Sequence, residues 1–133
     1  MKSKGKIGYQ WQENGLVRYL HLKPLEQPSE RDWVDAVKRI LDDYEFDSIF
    51  IIIDIVGFAP VLTKTSFDEM IKHLQERGLR KSTVAVTLDS PYYEGVARMF
   101  EASSGGYGFD LTMGAFLALP DAVRWLNAQS ARD

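Results

Sequence analysis

Hydroxyl groups, a cation and the start of a helix fall together at Thr63-Lys64-Thr65-Ser66. The unpaired amides and positive dipole end of a helix favour an anion, so this stretch is a candidate anion-binding loop or phosphate acceptor. Capping offers a plainer account of the same residues. Ser66-Phe67-Asp68-Glu69 fits a capping box, in which the serine accepts from the Glu69 amide and the glutamate reaches back. Phosphorylation at Thr63, Thr65 or Ser66 would suit the helix dipole while repelling an acidic partner.

Asp54 and Asp89 fall at the ends of two predicted strands, the edge at which open α/β sheets present ligands. Acid–base or magnesium chemistry there needs further carboxylates on neighbouring strand ends, and the sequence supplies none. Asp89 reads instead as a cap or turn residue before Ser90-Pro91. The only histidines, His21 and His73, lack the short spacing of a metal pair, so structural or surface roles are expected and no metal site is predicted. Gly105-Gly106-Tyr107-Gly108 follows a predicted helix and precedes a strand, the reverse of a dinucleotide site, and reads as a helix terminator. With no nucleophile–base pair in view, the expectation is a non-enzymatic domain without a cofactor.

One aromatic group remains. Tyr92, Tyr93, Phe100, Tyr107, Phe109 and Phe116 are candidates to line an apolar ligand pocket, with ordinary core packing as the plainer account.

These side chains have to be positioned by a small number of elements. A chain of 133 residues suits one domain, residues 1–133, with a core large enough to need no staple. The absence of cysteine excludes disulfides, thiolate zinc sites and cysteine nucleophiles, and fits a reducing compartment, the cytoplasm. A net charge of −3, from 19 acidic and 16 basic residues spread along the chain, gives no footprint for nucleic acid. No stretch approaches the ~20 apolar residues of a membrane helix, so membrane insertion is not expected.

The pattern opens with β-rich residues 7–11 and 16–22 around Glu13-Asn14-Gly15, a hairpin signal, with residues 1–6 expected to fray. Ser29, with Asp32 three residues on, caps a helix whose stripe is Trp33, Val37, Ile40, Leu41 and Tyr44, ending near Glu45. The unbroken run Ile49-Phe50-Ile51-Ile52-Ile53 within 48–56 marks a strand covered on both faces. A second helix runs over 66–77 with Gly78 as its stop, then a strand over 82–88. A third helix starts at Asp89-Ser90-Pro91 and closes at Ser103-Ser104-Gly105-Gly106. A last strand over 111–119 leads to a short helix from Pro120, with 130–133 frayed. The order β-β-α-β-α-β-α-β-α implies parallel neighbours with an antiparallel hairpin at the edge of a mixed sheet, helices packed on the sheet.

That order resembles the STAS domain, the sulfate-transporter and anti-sigma-factor-antagonist family with its SpoIIAA-like single-domain members. The resemblance rests on Asp54-Ile55-Val56-Gly57-Phe58 after a buried strand, the capped helix that follows, and the closing Pro120-Asp121-Ala122-Val123-Arg124-Trp125-Leu126. It spans nearly the whole chain and implies a bacterial regulatory domain that works by binding. In partner-switching members an Asp-Ser pair at the second helix carries the serine a kinase phosphorylates. Aligning on Asp54 places Leu62-Thr63 there, with Thr65 and Ser66 as nearby hydroxyls.

The resemblance therefore implies protein–protein or small-ligand binding, with a regulatory protein such as an anti-sigma kinase as the partner. Its contact region would be the binding loop carrying Asp54, Gly57 and Phe58 and running to Ser66. A homodimer is compatible with it. The alternative is an apolar-ligand or lipid carrier of SEC14-like type using the aromatic group between Tyr92 and Phe116. An enzyme working through Asp54 and Asp89 ranks last.

Overall fold

The computed structural model describes residues 1–15, 17–89 and 93–131, apart from the side chains of Tyr93, Glu94 and Val96. The hairpin predicted around Gly15 pairs strand β2 (Ile7–Asn14) with β3 (Val17–Pro24) along their whole lengths, from Asn14 opposite Val17 to Ile7 opposite Pro24. Both strands are longer than their β-rich stretches, because backbone pairing continues through polar residues that sequence pattern alone would end on. Leu16, expected to begin the second strand, lies outside the described residues.

The amino-terminal stretch expected to fray contains a short strand. Lys2–Lys4 forms strand β1, antiparallel to β2, with Lys2 opposite Tyr9 and Lys4 opposite Ile7. All three of its residues are exposed, so the strand is held by hydrogen bonds rather than burial, and no hydrophobic pattern announces it.

Helix α1 (Glu30–Ile40) starts at Ser29, whose side chain accepts from the Asp32 amide while the Asp32 carboxylate accepts from Ser29. Strand β4 (Ser48–Asp54) carries the isoleucine run. Helix α2 (Lys64–Glu76) ends at Gly78, whose φ of +96° lets the Gly78 and Leu79 amides turn back to the Gln75 and Leu74 carbonyls, both at 3.0 Å. Strand β5 (Lys81–Thr87), helix α3 (Tyr93–Gly105), strand β6 (Asp110–Phe116) and helix α4 (Leu119–Ser130) complete the order. The proposed start of α3 at Ser90-Pro91 lies outside the described residues.

The six strands lie in chain order, β1-β2-β3-β4-β5-β6, antiparallel as far as β3 and parallel from there. Right-handed crossovers that always step in the same direction place their helices on the same face. Accordingly α1, α2 and α3 share one core with the odd-numbered inward positions of β4, Ile49 and Ile51, and with Val84, Leu111 and Met113. Among the described residues the other face is covered by α4, through Ala122 and Leu126 packed on Val17, Tyr19, Ile52 and Ala85. Close approach on that side depends on Gly114, where a Cβ would lie 2.9 Å from the Phe116 ring and 3.2 Å from the Trp125 ring. A hydrogen bond from Asn127 to the Asn14 side chain, 3.2 Å, ties α4 to the hairpin.

Candidate functional site

Between the sheet and α1–α3 the core is not filled. A cavity of about 120 Å³ lies over Ile51, Val84 and Met113, roofed by Trp33 and Val37 of α1, Phe67 and Met70 of α2, and Ala97 and Phe100 of α3. Phe67 and Phe100 stack with ring centroids 4.3 Å apart, which joins α2 to α3 across the roof. Among the described residues the lining side chains are aliphatic, aromatic or thioether, with the Ser82 hydroxyl and the Trp33 indole N–H as the polar groups.

Burial along the strands gives the cavity a direction. Ser82, Val84 and Val86 alternate onto the same face of β5, and Ser82 and Val84 are buried whereas Val86 is only half-buried. Ile51 and Met113 are likewise buried, and the last inward residues of their strands, Ile53 and Ala115, are half-buried. The mouth is therefore at the carboxyl ends of β4–β6, where Pro60, Val61 and Leu62 of the following segment line it. Ser82 and Leu111 stand at the closed end.

The mouth segment is pinned at several points. The Ile55 amide donates to the Thr87 carbonyl (2.9 Å), the Gly57 amide to Asp89 Oδ2 (2.9 Å), and the Phe58 amide to the Ile55 carbonyl (3.0 Å). Gln27, just before α1, bonds both the amide and the carbonyl of Ala59. Asp89, expected to be a cap or turn residue, thus holds the Gly57 loop. Of the proposed binding loop, Phe58 is half-buried, and Asp54 points to the opposite face of the sheet.

There Asp54 accepts from Thr87 Oγ1 at 2.7 Å and faces His21 Nε2 at 3.5 Å. His21 and Thr87 are both buried. Asp54 and Asp89 are therefore committed to different partners. Among the described residues no group of three or more His, Asp or Glu side chains is placed to hold a metal.

At the start of α2 the capping box lies three residues earlier than the sequence suggested. Thr63 is the N-cap: its Oγ1 accepts from the Ser66 amide (3.3 Å), and its own amide donates to Ser66 Oγ (3.0 Å). Ser66 is 4% exposed and its hydroxyl also donates to the Thr63 carbonyl. Thr63, Lys64 and Thr65 are exposed, and Lys64 pairs with Asp68 at 2.7 Å. That bond, with a second from Ser103 of α3, holds the Asp68 carboxyl below its ordinary pKa. Glu69 does not reach back to Ser66. It bonds Arg31 and Lys38 of α1 instead, and those two cations pull its pKa from 4.5 to about 2.

Of the aromatic group, Phe100 and Phe109 line the cavity. Phe116 lies on the other side of the sheet beside Trp125, 5.5 Å between ring centroids. Tyr107 is 40% exposed and its carbonyl accepts from Gln75. Tyr92 and the side chain of Tyr93 lie outside the described residues. Strand alternation would have separated Phe109 from Phe116, since inward Leu111, Met113 and Ala115 share the parity of the first and not of the second. Ser82 and Gln27 were missed: a lone serine at a strand start and a glutamine before a proline carry no local signal of either role.

No helix among the described residues is long and apolar enough to cross a membrane. No protein-family model and no curated protein matches the chain. Among solved structures it is similar to an uncharacterized DUF3478-family protein with a SpoIIAA-like fold from Shewanella loihica PV-4. The two are 17% identical, the match covers 95% of this chain and 98% of that one, and the TM-score is 0.60. With a mixed sheet in chain order, three helices on one face and a closing helix on the other, this chain has the SpoIIAA-like α/β fold that the STAS resemblance implied.

Proposed function

We propose that this domain is a binding module rather than an enzyme, and that it takes a small apolar molecule into the cavity between the sheet and α1–α3. The observation that carries this reading is the cavity itself, about 120 Å³ with a largely apolar lining and a mouth at the carboxyl ends of the strands. Interiors are normally packed without voids larger than a water. At roughly 24 cal/mol per Å³, a void of this size costs about 3 kcal/mol, a large fraction of the stability of a small domain. A ligand that fills it recovers those contacts. The volume is close to the ~150 Å³ of an engineered dry cavity that accepts benzene, which sets the size class.

Occupancy would be felt at Pro60–Val61–Leu62 and, one residue later, at the exposed N-cap Thr63. In this reading that surface is where a regulatory protein, such as the anti-sigma kinase implied by the resemblance, senses the loaded state.

Toluene titrated into the protein should raise Tm and shift the methyl NMR signals of Val84, Val86 and Met113. Ala115→Leu, which projects into the mouth, should stabilise the free protein by about 0.5–2 kcal/mol and remove both responses. Unperturbed methyl signals in the wild type at saturating toluene would sink the reading.

A further inference from the structure

We infer that the ligand is a neutral molecule with one hydrogen-bonding group, held by Ser82 at the closed end of the cavity with its apolar body toward the mouth. This rests on the cavity being the binding site and adds the chemistry of what enters it.

Ser82 sits on β5 between Ile49 of β4 and Leu111 of β6, so both flanking neighbours in the sheet are aliphatic. It is 3% exposed, and its Oγ has no hydrogen-bond partner among the described residues. Burying a hydroxyl without a partner is unfavourable, and an alanine would fill the same position without that cost. The same hydroxyl lines the cavity, where the other polar side-chain group among the described lining residues is the indole N–H of Trp33, a donor only. A serine hydroxyl both donates and accepts, so an alcohol, a phenol or a carbonyl satisfies it equally.

The rest of the lining excludes other ligand types. No charged side chain among the described residues lines the cavity, so an ionised carboxylate or ammonium there would lack a counter-charge from them. A second polar group on the ligand would face described side chains that are otherwise aliphatic, aromatic or thioether, apart from the Trp33 indole N–H. Ser82 and the half-buried Val86 are four residues apart on one strand, about 13 Å. That distance gives the ligand its orientation: polar atom innermost, apolar remainder toward Pro60–Leu62.

The test compares phenol with toluene, near-isosteres that differ in a hydroxyl, on the wild-type protein and on Ser82→Ala, with affinities from NMR titration. Removing an unpaired buried hydroxyl does not threaten the fold. The expected result is that both compounds bind the wild type and that Ser82→Ala lowers the phenol-to-toluene affinity ratio about five-fold, the loss of one net hydrogen bond. If both bind and the ratio is the same in the two proteins, the Ser82 assignment is overturned while the cavity remains the site. If neither binds the wild type, the cavity reading fails and this inference falls with it.

Discussion

Gln27 and Ala59 exchange a pair of hydrogen bonds: Gln27 Oε1 accepts from the Ala59 amide at 2.8 Å, and Gln27 Nε2 donates to the Ala59 carbonyl at 3.0 Å. One side chain thereby serves a peptide as a neighbouring strand would, across 32 residues of sequence. The segment it holds is the one that borders the cavity mouth.

Gln27→Ala should release that segment without disturbing the sheet. Two exposed bonds at the low end of the usual range predict a loss of about 1 kcal/mol. Hydrogen exchange at the Ala59 amide should speed up while exchange in β4 and β5 is unchanged. Unaltered protection at Ala59 would show that the bonds do not hold the loop.

Glu69 predicts an acid response. Its carboxyl, bonded first by Arg31 and then by Lys38, titrates near 2 instead of 4.5. A depressed folded-state value stabilises the protein fully above the unfolded value and loses that contribution as pH falls from about 4.5 toward 2. Glu69→Gln should therefore lower Tm at pH 7, and the gap to wild type should close as the pH is taken down through that window. A gap that stays constant from pH 6 to pH 2 would refute the ion-pair origin. Because 40% of the Glu69 side chain is open to solvent, salt should also narrow the gap at neutral pH.

The same glutamate shows why part of the site was not legible. Ser66-x-x-Glu69 and Thr63-x-x-Ser66 both fit a capping pattern, and local sequence does not choose between them. The choice is made by Arg31 and Lys38, which arrive from another helix and claim Glu69. Where the signal is local, as in Ser29 with Asp32 or the isoleucine run of β4, sequence and structure agree. Strand β1 and the place of Ser82 in the cavity wall depend on elements brought together by folding, so neither could be read beforehand. The SpoIIAA-like order was legible because element type and sequence spacing already restrict how strands can neighbour one another.

On the opposite face, Thr87→Val keeps shape and removes the bond to Asp54 Oδ1. Asp54 is largely buried, with 13% of its side chain accessible, and among the described residues its side chain would retain the 3.5 Å approach to His21. A lost hydrogen bond to a carboxylate predicts destabilisation of about 1.5–3 kcal/mol in urea unfolding. Toluene affinity should be unchanged, because this cluster and the cavity lie on different faces of the sheet. A parallel fall in affinity would mean that the two faces communicate.

The chain-order sheet bears on how the molecule is made. Every strand hydrogen-bonds to the one synthesised just before it, so no pairing waits for a distant segment and each closure is short. The sheet can grow one strand at a time as the chain leaves the ribosome, with α1, α2 and α3 covering its first face in turn. The second face has no such sequence of covers. Val17, Tyr19 and Ile52 stay bare until α4, translated after every strand of the sheet, folds back to the hairpin through Asn127 and Asn14. While it is bare, that apolar face is open to association with other chains.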